Sequence, residues 1–148
     1  MKTKVYTKSS VIEGSGIFAK NKIKKGETIG VCRGKIYSDK EVEKLNLKDD
    51  HLMTIAKNQI IDVEPPECYT NHSCEPNLGI KGLNLVAIKD IKKDEEFTID
   101  YDTLEYDWKM KCCCGSKNCR KTIKGYKYLP QELKDKYKEF TADYLLKI

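Results

Sequence analysis

Short apolar runs alternate with polar turns through the first hundred residues. Val5-Tyr6-Thr7, Gly16-Ile17-Phe18-Ala19, Thr28-Ile29-Gly30-Val31-Cys32, Ile60-Ile61-Asp62-Val63, Leu83-Asn84-Leu85-Val86-Ala87 and Phe97-Thr98-Ile99 are bounded by Gly, Asn, Asp and Lys. Runs this short, rich in β-branched residues and closed by turn formers, predict strands. One helix is expected to interrupt them: Ser38-Asp39-Lys40-Glu41 has the Ser-x-x-Glu spacing of a capping box, with Val42 and Leu45 following on one face. A second helix is expected to close the chain. Pro130 suits a first helical turn, and Leu133, Tyr137, Phe140 and Tyr144 then form one apolar stripe, which predicts docking on the core. Ile23-Lys24-Lys25-Gly26-Glu27-Thr28-Ile29 echoes Ile91-Lys92-Lys93-Asp94-Glu95-Glu96-Phe97, and two similar β-turns account for the echo without a duplication. The pattern as a whole predicts a mostly β domain with short helices and a C-terminal helix.

A chain of 148 residues fits one domain and can bury a core without covalent staples. Charged residues at 34% and apolar ones at 39% suit a soluble protein. No apolar run approaches the ~20 residues that cross a bilayer, and Met1-Lys2-Thr3-Lys4-Val5 does not read as a signal peptide. The expectation is an intracellular protein, cytoplasmic or nuclear, with no membrane partner. The net charge of +5 is spread over many lysines. It points to an acidic or mixed-charge partner, and no basic face interleaved with aromatics marks nucleic acid as a direct ligand.

Three segments stand apart from this pattern. Gly14-Ser15-Gly16 could let the backbone approach a ligand closely, or could be a plain tight turn. Asn71-His72-Ser73-Cys74-Glu75-Pro76-Asn77 is almost wholly polar yet lies between strand-like regions, so its side chains need partners. Cys112-x-Cys114-x4-Cys119 holds three of the seven cysteines at spacings that can wrap one tetrahedral zinc. In a reducing compartment, clustered cysteines are metal ligands more often than disulfides. A structural zinc wants a fourth ligand; Cys113 is awkwardly placed between two others, which leaves Cys32, Cys68 and Cys74. Lys111, Lys117 and Arg120 would offset the charge of a four-thiolate zinc.

Together with Glu95-Glu96-Phe97-Thr98-Ile99-Asp100-Tyr101, these segments resemble, in order, the SET-domain protein lysine methyltransferases. The resemblance runs from Gly14 through Arg120, and the Asn71–Asn77 heptapeptide matches the family signature in full. It implies a SET fold of small curved sheets around a pseudoknot, where the heptapeptide passes near Tyr101. It implies that S-adenosylmethionine is contacted by Gly14, Ser15, Gly16, Asn71, His72 and Tyr101, and that Tyr101 is the catalytic tyrosine. It implies a structural zinc held by Cys74, Cys112, Cys114 and Cys119. The partner would be a protein substrate bearing a target lysine, a histone or another protein.

The corresponding division is a SET domain over 1–105, a post-SET zinc segment over 106–122 and a helical extension over 123–148. Tyr106 and Trp108 are candidates for the lysine channel or for adenine packing. Cys32 stands where the family usually has a tyrosine and Lys35 where it has an acid. Glu67-Cys68-Tyr69-Thr70 lacks the usual arginine, and Lys121 replaces a frequent glycine. Two other functions are weighed against the enzyme: a degenerate SET domain that binds peptide or cofactor without turnover, and a zinc-knuckle nucleic-acid binder.

Overall fold

The computed structural model describes residues 3–148. Its strands are short, two to five residues each. β1 (Val5–Ser9) and β2 (Ser15–Ala19) form an antiparallel hairpin. The Ser10 N–H donates to the Gly14 carbonyl at 2.7 Å to close its turn, and Gly14 takes the positive φ of 46° that favours glycine. β3 (Thr28–Val31) is followed by β4 (Gly34–Tyr37) and by α1 (Asp39–Leu45). Both hydrogen bonds of the predicted capping box are present: Glu41 N–H to Ser38 Oγ at 3.2 Å and Ser38 N–H to Glu41 Oε2 at 2.8 Å. α1 nevertheless buries no residue, and Leu45 is exposed.

β5 (Leu52–Ala56) and β6 (Gln59–Val63) complete a three-stranded sheet in the order β4-β6-β5. β7 (Asn71–His72), β8 (Leu78–Lys81), β9 (Asn84–Ala87) and β10 (Thr98–Ile99) join β3 in a five-stranded sheet, ordered β3-β9-β8-β10-β7. β11 (Met110–Lys111) and β12 (Thr122–Ile123) pair with each other. α2 covers Gln131–Lys136. Ile17, Ile61, Leu78, Ile80, Ile91, Phe97 and Ile99 are almost wholly buried in one core. Each such burial stabilises by about 1.5–3 kcal/mol. The two echoing segments meet in that core, where Ile23 and Ile91 exchange backbone hydrogen bonds at 2.8 Å.

The C-terminal stripe does not form one helix. α2 ends at Lys136, and two 3-10 turns follow at Lys138–Phe140 and Asp143–Lys147. Tertiary bonds outweigh helix continuation, which is weak for so short a segment. Thr141 is extended, its Oγ1 donating to the Tyr137 carbonyl at 2.7 Å, while Ala142 N–H donates to Thr103 O at 2.9 Å. The Tyr144 hydroxyl donates to Leu104 O at 2.6 Å. Of the stripe, Tyr137 is buried and Leu133, Phe140 and Tyr144 are half-buried, each from a separate turn rather than one helix face.

The crossing lies at β10. It pairs in parallel with β7 on one side and β8 on the other. Since β7 and β8 are consecutive, the connection 73–77 must pass across β10. Asn77 stitches that passage. Its Nδ2 donates to Glu96 O at 2.8 Å, its Oδ1 accepts from Thr98 N–H at 2.9 Å, and its own N–H donates to Thr98 O at 3.2 Å. Asn77→Ala would strand two backbone groups on the strand that carries the site. We expect a loss of about 2–4 kcal/mol, read as a lower midpoint in urea unfolding at unchanged slope. A loss below about 0.5 kcal/mol would mean that water or a shifted backbone satisfies both groups.

Candidate active site and metal centre

Tyr101 opens the 3-10 turn Tyr101–Thr103 immediately after β10. The parallel ladder sets it beside His72, with ring centroids 5.2 Å apart. Tyr101 N–H donates to His72 Nδ1 at 3.0 Å, and the Tyr101 hydroxyl donates to Thr70 O at 2.7 Å. The tyrosine lines a cavity of about 390 Å³ together with Cys32, Cys68, Glu105 and Trp108. Trp108 lies 6.1 Å from it, and its buried Nε1–H has no hydrogen-bond partner. Tyr106, the other aromatic candidate, is partly buried against the main core.

Asn71 joins the glycine turn to this region. Its Nδ2 donates to Glu13 O at 3.0 Å, to Ser15 O at 3.1 Å and to Glu96 Oε1 at 3.0 Å. Gly16 lets the Glu96 carboxylate lie against the backbone here; a Cβ would displace it from its bonds to Asn71 and Ser10. Gly14-Ser15-Gly16, Asn71 and Tyr101 therefore stand in one neighbourhood. Burial, and then the negative charges of Glu13 and Glu96, push the Tyr101 phenol above its ordinary range. It stays protonated at neutral pH and cannot serve as a base.

The cysteines gather on the other flank of His72. Cys74 Sγ is 3.8 Å from Cys112 Sγ, and one donor atom each from His72, Cys74, Cys112 and Cys114 lies within 4.8 Å of the others. Cys119 packs on the same cluster. Backbone N–H groups of Arg120 and Lys121 point at the sulfurs of Cys74 and Cys119, both at 3.4 Å. Burial alone would raise Cys114, but hydrogen bonds from the Cys74 and Ser116 N–H groups and from Cys112 and Cys119 together outweigh it and lower the thiol to about 7. Such a cluster can hold a metal ion. Cys32 and Cys68 line the cavity instead, and burial pushes their thiols up to about 12 and about 11.

His72 is near these sulfurs in a defined tautomer. Burial, and then the Arg120 charge, push its pKa down to about 4, so it carries one proton at neutral pH. Nδ1 accepts from Tyr101, so the proton sits on Nε2, 3.2 Å from Cys74 Sγ. Arg120 has partners beyond the sulfurs. Its Nη2 donates to Asp100 Oδ1 at 2.7 Å and to Asp102 Oδ2 at 2.8 Å. The guanidinium is shared between two buried acids, while its charge still acts on the Cys74 thiol; Lys111 and Lys117 are exposed.

The SET-domain family model matches residues 14–102, well over half of the chain. The chain belongs to the SET-domain family. The SET domain is similar to histone-lysine N-methyltransferase ASHH3 of Arabidopsis thaliana, at 31% identity over 74% of this chain and 35% of that protein. It is also 31% identical to an H3 lysine-36 specific histone-lysine N-methyltransferase of Mus musculus, over 72% of this chain and 5% of that protein. The histone-lysine N-methyltransferase trithorax of Drosophila virilis matches at 31% over 77% of this chain and 3% of its own length. The chain thus spans about a third or less of these relatives. The cysteine segment 112–119 lies outside the matched SET region. Among the described residues, no helix is long and apolar enough to cross a membrane.

Sequence reasoning did not single out Glu13, Asp102 or Glu105, and gave Thr70, Glu96 and Asp100 no role beyond the segments that contain them. Asp100-Tyr101-Asp102 held a usable signal, since two acids directly after a buried strand need partners. Glu105 lines the cavity and accepts from Thr54 N–H at 2.9 Å. Burial raises its pKa above the ordinary 4.5, against the lowering effect of that N–H. Between 4.5 and the raised value, the native state binds more protons than the unfolded state, so stability falls as pH rises through that window. Glu105→Gln keeps an oxygen for Thr54 and should flatten this slope in denaturation series from pH 4 upward. An unchanged slope would place the burial elsewhere.

Proposed function

We propose that this SET domain transfers a methyl group from S-adenosylmethionine to a lysine side chain of a protein substrate. The observation that carries the reading is the setting of Tyr101. One protonated phenol stands between the mixed cavity and the acidic turn of Glu13, Ser15, Asn71 and Glu96. The carboxylates and carbonyls of that turn suit a cationic ligand, which fits a sulfonium better than an anion. When bound, S-adenosylmethionine would supply an electrophilic methyl group.

The chain's residues then have positional work. The cavity is a mixed apolar and polar slot into which a lysine side chain can extend. Its desolvating walls disfavour the ammonium, whose free pKa is ~10.4, so the proton leaves to solvent before transfer. The Tyr101 hydroxyl is fixed by Thr70 O and keeps its lone pairs free to orient the neutral amine. Positioning of this kind can remove several kcal/mol of barrier. A substrate backbone carbonyl would satisfy the Trp108 N–H. Since the relatives are named as histone methyltransferases, a histone or histone-like protein is the first substrate to try.

The division into a SET domain, 1–105, a zinc segment, 106–122, and an extension, 123–148, is part of this reading. Ala142 and Leu145 sit in the same core as the strands, which supports the extension as an integral part. The structural zinc is assigned to Cys74, Cys112, Cys114 and Cys119. The His72 tautomer supports four sulfurs, because its Nε2 carries the proton and donates toward Cys74 rather than offering a lone pair.

Methyl-labelled S-adenosylmethionine and a panel of lysine-rich proteins test the activity. Label is expected on lysine, with Tyr101→Phe lowering kcat by about 10²-fold while the chain stays folded. Cofactor binding without transfer to any protein would favour the binding-module reading instead. The metal is tested by competition with a chromogenic chelator. We expect one zinc per chain, lost in Cys119→Ser, and only about 10–100-fold weaker binding in His72→Asn. The reverse order would make His72 the fourth ligand.

A further inference from the structure

Arg120 is the residue after the last cysteine of the cluster, and it bonds in two directions. Its backbone N–H donates to Cys74 Sγ at 3.4 Å. Its Nη2 bridges Asp100 and Asp102, at 2.7 Å and 2.8 Å. Those two acids flank Tyr101 in the chain and are 0% and 2% exposed. Each has a further fixed partner: Asp100 Oδ1 accepts Asp102 N–H at 3.0 Å, and Asp102 Oδ1 accepts Gly125 N–H at 2.7 Å. Tyr101 therefore sits between two side chains clamped by one guanidinium. Its own N–H is held by His72, whose Nε2 also faces Cys74.

We propose that Arg120 is the positioning residue through which metal occupancy of the cysteine cluster sets the placement of Tyr101. The proposal rests on the reading of the cysteines as a metal site and of Tyr101 as the group that orients the amine. The physical argument is one of tether length. A tetrahedral metal fixes the backbone from Cys112 to Cys119, and Arg120 follows directly, so its side chain reaches the two acids from a fixed root. Without a metal, no coordination bond joins the sulfurs, and the segment is held by the two-residue ladder of β11 and β12, by Cys112 N–H donating to Lys121 O at 2.7 Å and by Asn118 Nδ2 donating to Glu75 Oε1 at 2.6 Å. Arg120 then loses its fixed root, and two buried carboxylates lose their shared cation. Buried charges tolerate that loss poorly, so the turn that carries Tyr101 must rearrange or admit water.

The test uses the full chain, labelled with nitrogen-15, with the Tyr101 amide resonance as readout. This signal needs no turnover, and a merely structural role for Arg120 would not change its response to zinc. In the wild-type protein the resonance should move when zinc is chelated and return when zinc is restored. In Arg120→Met loaded with one zinc, the response should fall to less than half. In the same variant kcat should drop about 10–100-fold with little change in either KM. Asp100→Asn/Asp102→Asn/Arg120→Met leaves no carboxylate unpaired and carries the same measurement if the single variant does not fold. A zinc response in the folded variant as large as in the wild type overturns the proposal alone. A wild-type chain that takes up no zinc overturns the metal reading and this proposal with it.

Discussion

The parallel insertion of β10 between β7 and β8 is the constraint from which the site follows. Two residues, Thr98 and Ile99, pair with neighbours on both sides, and the polar heptapeptide must travel across them. Backbone groups there have no access to water, so each needs a partner inside the chain. Asn77 supplies two of those partners with its side chain, and Ser73 N–H supplies another by donating to Ile99 O at 3.1 Å. The same crossing delivers His72 to the backbone of Tyr101 and Cys74 to the Cys112 sulfur. The candidate site and the cysteine cluster are two ends of one passage, and His72 touches both.

Charge is distributed unevenly around that passage. The chain carries a net +5, with its lysines mostly on the surface. Glu13, Glu96, Asp100, Asp102 and Glu105 gather around Tyr101, and Arg120 is the cation paired with two of them. A basic protein therefore has an acidic site. In a partly desolvated setting such charges act more strongly than they would in water. Burial, and then Glu13 and Glu96, keep the tyrosine protonated, and the acidic turn on one side of it suits a cationic ligand.

Strand positions were legible where an apolar run was long enough to show. β1, β2, β3, β6, β9 and β10 fall on the predicted runs, and α1 starts at its capping box. β4 was not legible because it is an edge strand with Lys35 and Ile36 exposed, which leaves no alternation to read. β7, β11 and β12 have two residues each, too few for any period. The C-terminal stripe marked residues that do approach the core, yet it overstated the helix, since bonds to Thr103 and Leu104 lie far away in sequence.

Local chemistry is what the sequence determines here: turn residues, a capping box, a polar heptapeptide and thiols at ligand spacing are all short-range features. They sufficed for a mostly β domain and, through the resemblance they carry, for the SET family. Partnerships across long separations belong to the tertiary structure. Arg120 was expected to offset the charge of the sulfurs; folding also gives its guanidinium to Asp100 and Asp102, two buried carboxylates that need a cation. The tautomer of His72 and the acidic character of the site likewise arise only when residues from the start, middle and end of the chain exclude water together.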